Sequence, residues 1–189
     1  SSIPLVTLGT FFLWFGWFGF NGFSQLAMGT FDDVTAITKI AVNTHLAGAA
    51  GVVTGAVVTR LLDSKTDVVM MLNGALAGLV AITAEPLTPT PGMALVIGSM
   101  GSLIMYFGTK FLERMGLDDV VGAIPVHMFA GIFGTLIVPL TNADTSFGSQ
   151  FTGVIAVCSF SFILSFIIFK TLKATVGLRI SKEAEKLGT

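Results

Sequence analysis

Two histidines, His45 and His127, lie inside apolar runs of this 189-residue sequence, where their side chains could do chemistry. A neutral imidazole both donates and accepts hydrogen bonds, so it can line a path for a small polar molecule. Ionisable side chains at membrane depth are costly and are functional candidates by default. No Asp or Glu lies in the middle of an apolar run, so the pattern favours an uncharged permeant.

The segment around His127 favours a side chain that faces protein rather than lipid. Small residues stand four positions before it and four and seven positions after it, on the same face of a regular α-helix. Pro125 has no backbone N–H and leaves the carbonyl of Val121 without its usual partner, which predicts a polar pocket nearby. Asp118 and Asp119 open this segment and are expected to cap its free backbone amides. The alternative to a pathway residue is a structural histidine satisfied by its neighbours.

Other polar side chains in the apolar runs are expected to join helices. His45 stands beside Asn43 and Thr44, and such groups commonly hydrogen bond between membrane helices. We therefore interpret His45 as structural. Asn73 and Thr83 pose the same question in the next apolar run, and structural bonding is again the simpler interpretation.

An aromatic stretch, GWFGFNGFS at residues 16–24, precedes these runs. At helical spacing, Trp17, Phe20, Ser24 and Met28 form one stripe. Aromatic faces attract cations and a serine oxygen accepts a hydrogen bond, so the stripe could form the mouth of a cation site. Interface anchoring by tryptophan and lipid contact by phenylalanine are the alternatives.

The composition is that of an integral membrane protein. Hydrophobic residues make up 53% and charged residues 11%, and the mean hydropathy is +0.87. A formal net charge of −1 without any block of like charges excludes nucleic-acid binding. The single cysteine, Cys158, gives neither a disulfide framework nor a metal motif. We also expect no cofactor and no enzymatic activity.

Six membrane spans can be drawn, and loop charge predicts their direction. The spans are expected at 4–28, 37–59, 67–85, 92–112, 119–141 and 150–171. Nine of the ten basic residues lie in the second and fourth connections or after the last span, and only Lys39 lies on the other side. Because basic residues accumulate in the cytoplasm, both ends of the chain are expected there. We expect a transmembrane domain over 1–175 and the start of a cytoplasmic tail over 176–189.

Small residues recur four apart and predict tightly packed helices. Close backbone contact through small residues is the main cement between helices in lipid. The small residues that recur four apart are Ala47, Gly51 and Gly55; Gly74 and Gly78; Ala94 and Gly98; and Ala130 and Gly134. With Gly16, Gly19 and Gly22 included, five of the six helices are expected to pack tightly.

Together these stretches resemble the ammonium transporter, methylammonium permease and Rhesus family. The matching stretches are GTFFLWFGWFGFNGFS at 9–24, AVNTHLAGAAG at 41–51, NGALAGLVAITA at 73–84, DDVVGAIPVHMFAGIFGTL at 118–136 and TVGLRISKEAE at 175–185. The resemblance implies an all-α polytopic fold whose six helices correspond to spans six to eleven of an eleven-span inverted-repeat transporter. The first residues, SSIPLVTLGT, already lie in an apolar run, so an N-terminal part is expected to precede them. The resemblance implies that the other half of the fold is a companion segment; association of two halves and a remnant of a longer transporter are the alternatives.

The resemblance implies roles for individual residues. Phe20 corresponds to one of two stacked phenylalanines at the outer end of the pore, and Ser24 to part of an ammonium recruitment site. His127 corresponds to one of a pair of pore histidines, with Thr83 and Asn73 near the same path. Partners implied are ammonium or ammonia, the lipid bilayer, two further copies in a homotrimer, and a cytoplasmic nitrogen-regulatory protein.

The expected function is ammonium transport across the cell membrane, with capture at the outer site, deprotonation and passage of ammonia through a narrow histidine-lined pore. Two alternatives stay open. A membrane-embedded ammonium sensor would use the same mouth and signal to a cytoplasmic domain. A non-conducting structural subunit would keep the packing glycines without needing Phe20 or His127.

Overall fold

The computed structural model describes residues 2–188, and all of their regular secondary structure is helical, with no strand among them. Helix α1 ends in a short 3₁₀ turn, and the fifth span combines a π-helical segment, helix α5 and a second 3₁₀ turn. The bounds are α1 Ile3–Gly22 with Phe23–Gln25, α2 Phe31–Leu62, α3 Val68–Thr83, α4 Pro91–Arg114, the π-helix Ile124–Phe129, α5 Ala130–Ile137 with Val138–Leu140, α6 Phe147–Thr175 and α7 Lys182–Leu187.

Side-chain caps account for where the central helices begin. Thr30 accepts a hydrogen bond from the backbone amide of Asp33, whose carboxylate accepts one in return from the amide of Thr30, forming a capping box before α2. Asp67 caps α3 through the amide of Met70. Thr90 caps α4 in the same way, followed by a proline at the first helical position.

The spans differ in length. Among the described residues, four helices are long and apolar enough to cross a membrane: Ile3–Gln25, Phe31–Leu62, Pro91–Arg114 and Phe147–Thr175. The other two apolar segments, Val68–Thr83 and Ile124–Leu140, are shorter. Residues 84–90 leave the helix because Pro86 and Pro89 cannot continue it, and Pro125 and Pro139 interrupt the fifth span.

The predicted tight packing through small residues is confirmed for α2, α3, α4 and α5. A Cβ atom added to Gly51 would overlap the backbone carbonyl of Gly74, and one added to Gly98 would overlap the backbone of Ala47. Gly134 meets the backbone of Ala81 in the same manner. Backbone contact at these distances leaves no room for a methyl group, so glycine is required for packing.

The same prediction is wrong for α1 within this chain. A Cβ atom on Gly16 would meet nothing within 4 Å, and those on Gly19 and Gly22 would meet only side chains at 3.6 and 3.8 Å. Helix α1 packs against α2 and α3 mainly through larger side chains. Gly16 therefore lies on a surface that other residues of this chain do not cover, whereas Gly22 is buried without the close backbone contact that was predicted.

The chain divides into two compact units, residues 1–150 and residues 151–189. The first holds α1 to α5 and the buried core, where Ala77, Met105, Val126 and Ala130 form one cluster. The second holds most of α6, a helix with no buried residue, followed by α7, which Ser181 caps through the amide of Ala184.

Candidate pathway residues

The aromatic stripe of α1 is tied to α3 by one hydrogen bond. The indole Nε1 of Trp17 donates to Oγ1 of Thr83 at 2.7 Å, and Thr83 in turn donates to the carbonyl of Leu79 at 2.7 Å. The ring of Trp17 meets the ring of Phe20 edge to face, with centroids 6.1 Å apart. Thr83, the last residue of α3, therefore fixes the indole that supports Phe20.

Beyond this contact the stripe opens to the surface of the chain. Phe20 is 65% exposed, and Ser24 is exposed within the 3₁₀ turn that follows α1. The expectation that Met28 continues the stripe is wrong, because Leu26 takes a left-handed conformation (φ 59°) and the helix has ended. Phe20 lies in the last turn of α1, and Ser24 lies in the 3₁₀ turn that follows.

His127 lies in the π-helical segment, with its side chain exposed. Its neighbours Pro125 and Val126 are buried, as is Ala130 at the start of α5. A π-helix carries more residues per turn than an α-helix, so the face predicted from regular helical spacing does not hold here. The segment is anchored by buried neighbours, while the imidazole faces away from the residues of this chain.

The carbonyl of Val121, which precedes the fifth span, has a partner on α3. Nδ2 of Asn73 donates to this oxygen at 3.1 Å, joining residues 48 positions apart. Gly122, next in the chain, has φ +73°, and a Cβ atom there would stand 2.8 Å from Nδ2 of Asn73. The expectation that Pro125 removes the helical partner of Val121 is wrong, because the helix begins after Gly122 and Pro125 lies in its first turn.

The start of the fifth span is held by a carboxylate. Oδ1 of Asp119 accepts from the amide of Ala123 at 2.9 Å, and Oδ2 accepts from the amide of Ile124 at 2.8 Å. Asp118 is exposed. Of the two expected capping residues, Asp119 supplies both bonds to the amides that open the π-helix.

His45 contacts aromatic rings rather than the polar groups beside it. Its ring centroid lies 5.5 Å from that of Trp14 and 6.1 Å from that of Phe18, with which it is stacked. These contacts join α2 to α1, as expected of a structural residue. Beyond their place in the aromatic stretch, nothing in the sequence indicates the two ring partners.

The polar residues next to His45 bond across helices. Nδ2 of Asn43 donates to the carbonyls of Pro86 and Pro89, each at 2.9 Å. Thr44 accepts from Nδ2 of Asn21 at 3.0 Å. Asn21 is fully buried and was not predicted to matter, although it is the one amide in its aromatic run. Three buried polar atoms have no partner among the described residues: Nε1 of Trp14, Oδ1 of Asn21 and Oδ1 of Asn43.

Helix α3 connects the two parts of the candidate pathway. It carries Asn73, which bonds the start of the fifth span, and Thr83, which bonds the aromatic stripe of α1. Ten residues of α-helix separate them by about 15 Å. No cluster of three or more potential metal ligands occurs among the residues that are described. The arrangement offers aromatic, hydroxyl, amide and imidazole groups and is suited to binding and passage of a small polar solute.

Comparison with known proteins shows which family has a similar sequence. The profile of the ammonium transporter family matches residues 1–189. Ammonium transporter Amt2 of Archaeoglobus fulgidus is 40% identical, over 99% of this chain and 43% of its own length. Ammonium transporter Amt1 of Methanocaldococcus jannaschii is 36% identical, over 99% of this chain and 48% of its own.

Solved structures give the same result. A sensor Amt protein superposes with a TM-score of 0.91 at 36% identity, over 100% of this chain and 48% of that one. Mep2 of Candida albicans superposes with a TM-score of 0.87 at 26% identity, over 97% of this chain and 44% of that one. The chain therefore spans less than half the length of each of these four relatives.

Proposed function

This chain belongs to the ammonium transporter family, and we propose that it forms one half of a membrane path that captures ammonium and passes ammonia. The fold is that of an all-α polytopic membrane protein. Because the chain spans less than half of its relatives, the proposal assigns the facing half to a companion segment.

Capture is assigned to the outer end of α1. A desolvated cation over an aromatic face gains about 2 kcal/mol, and a serine oxygen can accept one N–H bond of ammonium. Phe20 supplies the ring and Ser24 the oxygen, and both are exposed. Trp17, held by Thr83, supports the ring of Phe20 from the side.

Energetics favour loss of a proton before passage. Carrying a bare cation into a medium of low dielectric costs tens of kcal/mol. Deprotonating ammonium at neutral pH costs about 3 to 5 kcal/mol, at about 1.4 kcal/mol for each unit by which the pKa of ammonium exceeds the pH. Uncharged ammonia then passes His127, whose imidazole can donate and accept hydrogen bonds along the path.

The observation that carries the proposal is the placement of His127 in a chain of this family. Pro125 and Val126, which precede it in the π-helix, are buried, whereas its own side chain is exposed. An exposed imidazole in an apolar segment needs water, another protein surface or a pore lumen. A lumen between this chain and a companion segment meets that need.

Orientation and assembly follow as part of the proposal. Both ends of the chain face the cytoplasm of a cell that holds the protein in its plasma or inner membrane, in agreement with the distribution of basic residues. Three copies assemble as a homotrimer, and a nitrogen-regulatory protein of the cytoplasm is the partner that would control uptake.

An ammonium sensor is the second candidate, favoured by the 0.91 TM-score to a sensor Amt protein. A sensor would bind ammonium at the same mouth and pass the signal to a cytoplasmic domain. Flux distinguishes the two, because a sensor binds without transporting at a physiological rate.

The test is uptake of labelled methylammonium, competed by ammonium, into proteoliposomes that contain this chain together with its companion segment. His127→Ala should reduce the maximal rate at least tenfold while the protein remains folded, because the path loses its donor and acceptor. His45→Ala is the matched control, since His45 packs against Trp14 and Phe18, and it should transport at a rate near that of the unaltered protein. Unchanged uptake in His127→Ala would remove that residue from the mechanism, and binding without any uptake in the unaltered protein would favour the sensor.

A further inference from the structure

We propose that Asn73 is a positioning residue that holds in place the π-helical segment carrying His127. Its amide binds the carbonyl of Val121, in the turn that leads into this segment. The consequence for transport rests on the proposed function, whereas the structural role does not depend on it.

The contact is made at one carbonyl just before the helix. The amide of Val126 bonds the carbonyl of Gly122 at 3.1 Å, so the helix begins after Gly122, and Pro125 lies in its first turn, where a missing N–H costs no helical bond. The carbonyl of Val121 lies in the preceding turn, on a residue that is 67% exposed. Its donor must therefore come from a side chain or from water.

Asn73 meets this need from a neighbouring helix. Its Nδ2 lies 3.1 Å from the Val121 oxygen, and a carbonyl can pair only with the NH₂ end of the amide. The absence of a side chain at Gly122 allows the approach, because a Cβ atom there would stand 2.8 Å from Nδ2. Gly122 also takes a positive φ of 73°, which favours glycine. Three features thus fit one contact.

This contact bears on the imidazole because the π-helix is held at both ends. Asp119 binds the amides of Ala123 and Ile124 on one side. Val126 and Ala130 are buried against α3 and α4 on the other. A π-helix competes with the ordinary α-helix, and single π-turns occur mostly where a side chain must be aimed. Freeing the Val121 carbonyl would let the segment rewind or shift, and His127 would move with it.

The first experiment measures structure without transport, in the complete assembly in detergent. Hydrogen exchange of backbone amides is followed by mass spectrometry for the peptide over 121–130. Asn73→Asp has the same shape but offers no donor when ionised, and Asn73→Leu removes all polarity. Both should speed exchange of this peptide at least tenfold, because the segment opens more often.

A matched control exists on the outer side of the chain. Asn142 also bonds another part of the chain through its amide, with Nδ2 2.8 Å from Oε2 of Glu85. Asn142→Leu should leave exchange over 121–130 unchanged. Equal exchange in the unaltered protein and in both Asn73 variants would overturn the proposal.

The second readout is transport, and it separates this proposal from the proposed function. Asn73→Leu should lower the maximal rate of methylammonium uptake roughly tenfold with little change in apparent KM, because capture at Phe20 and Ser24 is untouched. A changed KM with an unchanged maximal rate would count against positioning. If the unaltered assembly transports nothing, the proposed function fails, while the exchange results still decide the role of Asn73.

Discussion

At the scale of single residues, the proposed capture site depends on one hydroxyl and one ring. Ser24 lies in the 3₁₀ turn after α1, and its oxygen is exposed. Ser24→Ala should raise the apparent KM for ammonium several-fold and leave the maximal rate nearly unchanged, because the loss affects binding and not passage. The measurement is uptake across a range of low ammonium concentrations. An unaltered KM would contradict recruitment by this serine.

The bond between Trp17 and Thr83 gives a second prediction for single residues. Thr83→Val keeps the side-chain shape but leaves Nε1 of Trp17 without an acceptor, which costs about 1 to 3 kcal/mol if the indole stays buried. The indole should lose its fixed position against Phe20, so the apparent KM should rise. Thr38→Val is the control, because the Thr38 hydroxyl bonds only the carbonyl of Val34 in its own helix. Equal KM values for the two variants would exclude this support.

Residue types alone did not predict every hydrogen-bond partner or side-chain direction. The contact between Asn73 and Val121 could not be predicted, because the two residues are 48 positions apart and only the packing of α3 brings them near. Pro125 was expected to free a carbonyl within the helix, but the start of the helix after Gly122 places this proline in the first turn. The π-helix around His127 could not be predicted from regular helical spacing, and the protein-facing direction of its imidazole stays a prediction.

At the scale of elements, the packing of α2, α3 and α4 depends on backbone contacts that exclude side chains. Gly98→Ala should lower the free energy of unfolding by about 1 to 3 kcal/mol, because the new methyl group meets the Ala47 backbone and the helices must separate. Gly16→Ala is the matched control, since nothing lies within 4 Å of its added Cβ. Thermal or denaturant unfolding in detergent compares the two. Equal stability of both variants would contradict the packing argument.

Helix starts were easier to predict than helix ends. Thr90 and Pro91 mark the start of α4 with a cap and a first-turn proline, both readable in the sequence. The end of α1 was placed too late, because apolar residues continue past Gly22 while Leu26 turns the chain into a left-handed conformation. Hydropathy reports which residues avoid water and carries no information on such a turn.

At the scale of the whole molecule, direction in the membrane can be tested with the single cysteine removed. In a Cys158→Ser background, Arg114→Cys should react with a membrane-impermeant maleimide only from the cytoplasmic side, and Asp144→Cys only from the outer side. Labelling of intact cells against opened cells provides the measurement. Reaction of Arg114→Cys in intact cells would reverse the proposed orientation.

The unequal lengths of the apolar helices have an electrical consequence. Helix α2 has 32 residues and extends about 48 Å, whereas α3 has 16 and extends about 24 Å, less than the roughly 30 Å of a hydrocarbon core. The shorter segments are those that bear Thr83, Asn73 and His127. A membrane voltage falls mainly across the dry section, so the field is steepest where that section is thin. An elementary charge that crosses the dry section gains or loses about 2.3 kcal/mol for each 100 mV of membrane voltage. A proton released from ammonium on the proposed path would cross this voltage over a shortened distance. Current measured under voltage clamp therefore reports whether the proton crosses the membrane.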